Sequence, residues 1–338
     1  MKRLLPLLAV LFVATSSRAA DAVPRAFLRR VGNLVIEHRY PECDRLLDSL
    51  STAYPCDGSV LFYRTISLYT WIDDTGLVDS LGGRFRVVSD SLVQIADARL
   101  KVVPNDPRAR HLRGTVRVYR AMLRSHAEGI SVGNVWGIYR ETRRGMRDLE
   151  KALAADSTMT DIVLAKGNYL HWRSRLLPWP ISDQNEGKRG MRMMEAAYAS
   201  GLEWQAAGAQ TLCWVYMYER RYRDVIRLAL PMHRRYPHSR AFTTLVGRAW
   251  LEMGQLSRAD SVFATGLVGL SAYERSNPFV VMKLERWRAV ILQRSGMAPE
   301  ACAMATRLKE QRYPGVHETW LRDKIGVVEW VARNVCTP

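Results

Sequence analysis

The 338-residue sequence is poorest in recognisable catalytic machinery. It has no His-Glu-x-x-His and no Cys-x-x-Cys, and its seven histidines are scattered, so no metal-ligand spacing is present. No Gly-x-Ser-x-Gly elbow is expected, and no glycine-rich phosphate loop following a strand. After the first twenty residues no apolar run approaches the roughly 20 residues that a membrane-spanning helix needs. The alternating ten-residue segments of an outer-membrane barrel are also missing. Lysine is scarce: eight of the fifty basic residues. Arginine-rich composition of this kind follows from GC-rich codon usage, which weighs against reading the whole charge as one binding patch.

What is present begins with a leader-like N-terminus. Lys2 and Arg3 precede an apolar run of about 11 residues, Leu4 to Ala14, which is too short to span a bilayer. Ser17-Arg18-Ala19 supplies small residues for cleavage near Ala19, and residues 1–19 are expected to be a signal peptide. No cysteine suited to a lipid anchor lies nearby. Of the formal charge of +17, Lys2, Arg3 and Arg18 carry three, leaving +14, a balance that favours anionic surfaces or acidic partners. Export makes nucleic acid a poor partner.

Five cysteines entering an oxidising compartment cannot all pair within one chain. Cys43 and Cys56 fall at opposite ends of one predicted helix, about 20 Å apart, too far for a bridge. Cys213 lies on an apolar helix face and reads as a small hydrophobe. Cys302 and Cys336 fall on antiparallel neighbouring helices and meet if the tail folds back.

Proline and glycine divide the remainder into paired helices. The pattern places pairs at 24–38 with 41–53, 59–72 with 85–102, 108–127 with 136–155, and 160–176 with 186–199. Further helices follow at 278–294, 299–312 and 317–334. Residues 73–84 read as a long loop in which Asp73, Asp74 and Asp79 are solvated; their spacing is too sparse for a calcium loop. Residues 178–183 are the most irregular stretch. A 34-residue echo links Tyr222, Val225, Ala229, Met232 and Pro237 to Leu256, Ala259, Phe263, Gly266 and Ser271. Upstream, Leu212, Cys213 and Tyr216 recur as Val246, Gly247 and Trp250. Tyr40, Cys43, Leu47, Leu50 and Pro55 repeat the same spacing. A fixed period of this length marks stacked helix pairs, each burying its apolar face on its neighbours. Gly247, Ala259 and Gly266 allow close approach, while Trp250 and Phe263 fill the gaps.

On these residues the chain resembles the tetratricopeptide repeat family, most closely over 207–271. The middle section, with Gly114, Asp148 to Asp156 and Gly167 to Ser174, resembles uncharacterised exported bacterial proteins of the same class. The resemblance implies an all-α, right-handed solenoid spanning 20–338 as one domain, closed by a C-terminal capping helix. It also implies a concave face lined by the first helix of each pair, hence by His111, Thr115, Asn168, His171, Gln210, Trp214, Met217, Thr244 and Arg248. The expected function is an exported, periplasmic, non-enzymatic scaffold for protein–protein interaction, binding another cell-envelope protein or peptide, acidic in character, without cofactor or metal. The alternative is a periplasmic helical-repeat ligand-binding component of a transport system, holding a small apolar or acidic molecule near Trp172, Trp179 and Trp214. Met191, Met193, Met194, Trp204, Tyr216 and Tyr218 read as filling between pairs rather than a cavity lining. His171, beside Arg173 and Arg175, reads as structural rather than catalytic.

Overall fold

The computed structural model describes residues 23–55, 57–129, 131, 133–176, 183–202 and 204–336. The expected leader, Cys56 and Trp179 lie outside them. Among the described residues the secondary structure is entirely helical. The helices are α1 (Arg25–Ile36), α2 (Tyr40–Ala53), α3 (Gly58–Thr75), α4 (Val78–Val102), α5 (Pro107–Ala127), α6 (Val135–Ala155), α7 (Thr160–Leu176) and α8 (Gln184–Ala199). They continue with α9 (Gln205–Tyr218), α10 (Tyr222–Arg235), α11 (Arg240–Glu252), α12 (Leu256–Val268), α13 (Ala272–Arg275), α14 (Pro278–Arg294), α15 (Ala298–Glu310) and α16 (Glu318–Val335). Consecutive helices pack in pairs, notably α1 with α2, α5 with α6, α7 with α8 and α11 with α12.

The chain forms two compact units, one of residues 1–70 and 84–215, the other of 71–83 and 216–338. In the first, Tyr40, Phe62, Ile66, Val116, Leu149 and Trp172 are fully buried. Its helix pairs approach closely through glycine. A Cβ on Gly114 would sit 2.8 Å from the Gly145 carbonyl oxygen, and one on Gly145 would sit 2.7 Å from that of Gly114. Only backbone-on-backbone contact brings α5 and α6 this near.

In the second unit the core is built on Phe242, Leu245, Phe263, Phe279, Leu284 and Val328. The 34-residue echo is visible in its packing. A Cβ on Gly247 would lie 2.6 Å from the Phe263 ring, so glycine leaves the space that the phenylalanine fills. Trp250 differs from expectation: it is half-exposed, with the Arg258 guanidinium 4.9 Å from its ring centre. Cys302 and Cys336 form a disulfide joining α15 and α16, with Cα atoms 5.2 Å apart. The bridge closes a 34-residue separation. On chain-entropy grounds the Cys302→Ser, Cys336→Ser variant should lose about 3–4 kcal/mol. Melts of the variant beside oxidised wild type check this, and equal midpoints would mean the bridge constrains nothing.

One turn recurs between the helices of a pair. The residue before α2, α10, α12 and α15 has φ/ψ of −85/55, −85/57, −85/65 and −86/64. The residue before that one is left-handed each time: His38 (φ 61), Arg220 (φ 58), Gly254 (φ 73) and Gly296 (φ 78). Glycine adopts this geometry without strain, whereas histidine and arginine do not. Arg220→Gly should therefore stabilise the protein by about 1 kcal/mol, read as a raised melting temperature. An unchanged or lower midpoint would contradict the strain.

Residues 73–84 are not a loop. Helix α3 continues to Thr75, Gly76 turns the chain at φ 72, and α4 resumes at Val78. Of the acidic residues expected to be solvated, Asp79 is exposed and Asp73 half-buried, but Asp74 is drawn inward. Asp74 is buried (4% exposed) between Lys283, whose Nζ lies 2.8 Å from Oδ1, and Arg240, whose Nε donates to Oδ2 at 3.1 Å. Arg240 also pairs with Glu274. Lys283 Nζ reaches the Asp74 carbonyl at 2.9 Å, and Asn277 Nδ2 reaches that of Thr75 at 3.3 Å. A double acid reads as solvent-facing until distant cations are brought to it.

Candidate functional site, a basic cluster on α14

The residues expected to line a groove occupy different environments. His111, Thr115, Asn168, His171, Gln210 and Met217 are buried, whereas Trp214, Thr244 and Arg248 are half-exposed. His111 Nε2 is 3.2 Å from Thr115 Oγ1 and 3.5 Å from Asp161 Oδ2. Burial outweighs the nearby carboxylate and pushes the imidazole down to about 3, so it is neutral. Asn168 Oδ1 accepts from Trp172 Nε1 at 3.0 Å, and the His171 ring meets the Trp172 ring edge-on at 5.1 Å. These four groups form interior contacts. The buried thiol of Cys43 is pushed up to about 12, and burial likewise raises that of Cys213, so both cysteines are poor nucleophiles.

One sequence motif falls away on geometry. Gly129-Ile130-Ser131-Val132-Gly133 spells Gly-x-Ser-x-Gly, but it joins α5 to α6, with no strand leading in. Ser131 N–H there donates to Asn134 Oδ1 at 2.9 Å. No group of three His, Cys, Asp or Glu side chains among the described residues could hold a metal ion.

Arg248 leads to a different cluster, contained in the second unit. Its guanidinium lies 4.5 Å from the Trp287 ring centre, and that of Arg286 lies 4.9 Å from the same ring. Arg286 is on the buried stripe of α14, in register with Phe279, Met282, Ala289 and Val290, and is only 7% exposed. Among the described residues it makes no hydrogen bond and no ion pair, and its Nε is buried without an acceptor. Burial pulls its pKa down to about 9, with Arg248 adding to the effect and Asp323 opposing it. Lys324 on α16 adds a third positive charge. Its own value is lowered, first by burial and then by Arg286, against Asp323 at 2.7 Å and Asp73.

A guanidinium withdrawn from water without a counter-ion costs several kcal/mol. An oxyanion would relieve that cost, because the planar fork donates two parallel hydrogen bonds to a carboxylate. Trp287 offers a flat apolar wall beside it. No protein-family model matches this chain, and no curated protein matches it. The cluster therefore stands on its own chemistry.

Sequence reasoning reached Arg248 but missed Arg286, Trp287 and Lys324. The signal for Arg286 was legible: a cation at the centre of an otherwise apolar stripe, four residues after Met282 and three before Ala289.

Proposed function

We propose that this chain is an exported, non-enzymatic helical-repeat scaffold that holds an acidic segment of another cell-envelope protein, with Arg286 at the centre of the contact. The observation that carries this reading is the buried guanidinium that makes no hydrogen bond and no ion pair among the described residues. Arg248, Trp287 and Lys324 around it supply further charge and an aromatic surface. The recurrent turn before α2, α10, α12 and α15 supports a tetratricopeptide-like stacking of pairs into a right-handed solenoid. The Cys302–Cys336 disulfide supports the exported, periplasmic placement, since such bonds persist in oxidising compartments.

Affinity capture from envelope extract tests the reading, with the wild-type chain and an Arg248→Glu, Arg286→Met variant as parallel baits. Circular dichroism first establishes that both are folded. A protein recovered by the wild type and lost with the variant is the expected result. Identical recovery by both baits would remove this cluster from partner binding.

A further inference from the structure

The arginines of the first unit are sorted by the face they occupy. Those turned towards carboxylates are fully engaged. Arg113 donates to both oxygens of buried Asp148, at 2.8 and 2.7 Å, and Arg117 donates to the same carboxylate at 2.8 Å. On the outer face of α6 the situation reverses. Arg140, Arg143, Arg144, Arg147 and Lys151 are all exposed, and none has an ion pair among the described residues. The one hydrogen bond there runs from Arg143 Nη1 to the neutral Tyr139 hydroxyl at 3.1 Å. The acids of α6 point elsewhere: Asp148 is buried, Glu141 lies 4.0 Å from Arg117, and Glu150 pairs with Lys166 at 2.9 Å.

The five cations fall at i, i+3, i+4, i+7 and i+11, which puts them on one stripe of the helix. Trp136, 59% exposed, stands four residues before Arg140 on the same stripe. From Trp136 to Lys151 the row is about 22 Å long at 1.5 Å per residue. Like charges at this spacing repel one another, and an anionic surface would relieve that repulsion. The opposite face of α6, with Gly145, Met146, Leu149 and Ala152, is buried in the unit.

We propose that this face of α6 docks on a membrane surface rich in anionic phospholipid. Each arginine fork matches a phosphate geometrically, and a straight row of such forks matches a plane of headgroups. A tryptophan at one end suits the boundary between headgroup and acyl chain. An acidic protein would have to present a matching 22 Å row of carboxylates. A lipid surface presents its charges at any register, and it is the occupant we assign. This inference rests on α6 alone and stands or falls independently of the Arg286 cluster.

Vesicle sedimentation tests it, using the full chain and vesicles of phosphatidylcholine with or without 30% phosphatidylglycerol, at about 50 mM and 500 mM salt. The expected result is partitioning onto the anionic vesicles only, weakened at high salt. R140Q/R143Q/R144Q/R147Q, which alters exposed side chains only and keeps the same N-terminus, should bind at least about 100-fold more weakly. Its melting temperature should match the wild type. Trp136→Ala, with every charge retained, should lose about tenfold. Equal binding of the quadruple variant and the wild type would overturn the proposal. So would wild-type protein that ignores anionic vesicles yet binds polyglutamate through these arginines, which would assign the face to an acidic protein.

Discussion

Asp74→Asn is expected to destabilise the protein by about 3–5 kcal/mol, because it leaves two cations without their shared carboxylate. Arg240 is 4% exposed and Lys283 is largely buried, so water cannot replace the lost charge. Glu274 still holds one end of Arg240, but Lys283 retains only neutral acceptors. The loss should shrink in an Asp74→Asn, Lys283→Met background, where the stranded ammonium is gone. Urea unfolding of the two variants beside wild type measures both effects. A loss below about 1 kcal/mol for Asp74→Asn would mean that the site is more hydrated than its burial indicates.

Gly167→Ala should reverse the sign that helix propensity predicts. In an open helix the change from glycine to alanine stabilises by about 1 kcal/mol. At Gly167 the new Cβ would lie 2.6 Å from the Gly190 carbonyl oxygen and 2.8 Å from Met194 Cγ, so α7 and α8 would have to separate. The expected cost is about 2–3 kcal/mol, at the upper end of overpacking. Gly83→Ala is the control: nothing lies within 4 Å of its Cβ position in α4, so it should stabilise. A melt in which both variants gain stability would refute the close approach.

These two sites also mark how far the sequence could be read. Helix boundaries were legible because proline, glycine and apolar spacing are local signals: α1, α2, α5, α6 and α7 begin and end within two residues of their expected limits. The Gly247–Phe263 contact was legible from the 34-residue echo, and the Cys302–Cys336 pairing from the antiparallel order of two helices. Asp74 was not, because its partners Arg240 and Lys283 lie 166 and 209 residues away in the chain. His38 and Arg220 gave no warning of a left-handed turn, since only glycine announces one. The groove set mixed buried and half-exposed positions because register places a residue on a face without saying what covers that face. Arg286 shows the converse: its place on an apolar stripe was visible, but only the fold reveals that its buried Nε meets no hydrogen-bond acceptor among the described residues.

The Arg286 cluster is tested most directly by titrating a glutamate-rich peptide into the wild-type chain and into Arg286→Met, with the melting temperature of each recorded without peptide. A charge-assisted pair is worth about 1.5–3 kcal/mol, so the variant should bind at least about tenfold more weakly. Because the substitution removes a buried charge that makes no ion pair among the described residues, the variant should melt at the same temperature or higher. Equal affinity, or a variant that binds poorly only because it has lost stability, would contradict a role for Arg286 in holding an acidic segment.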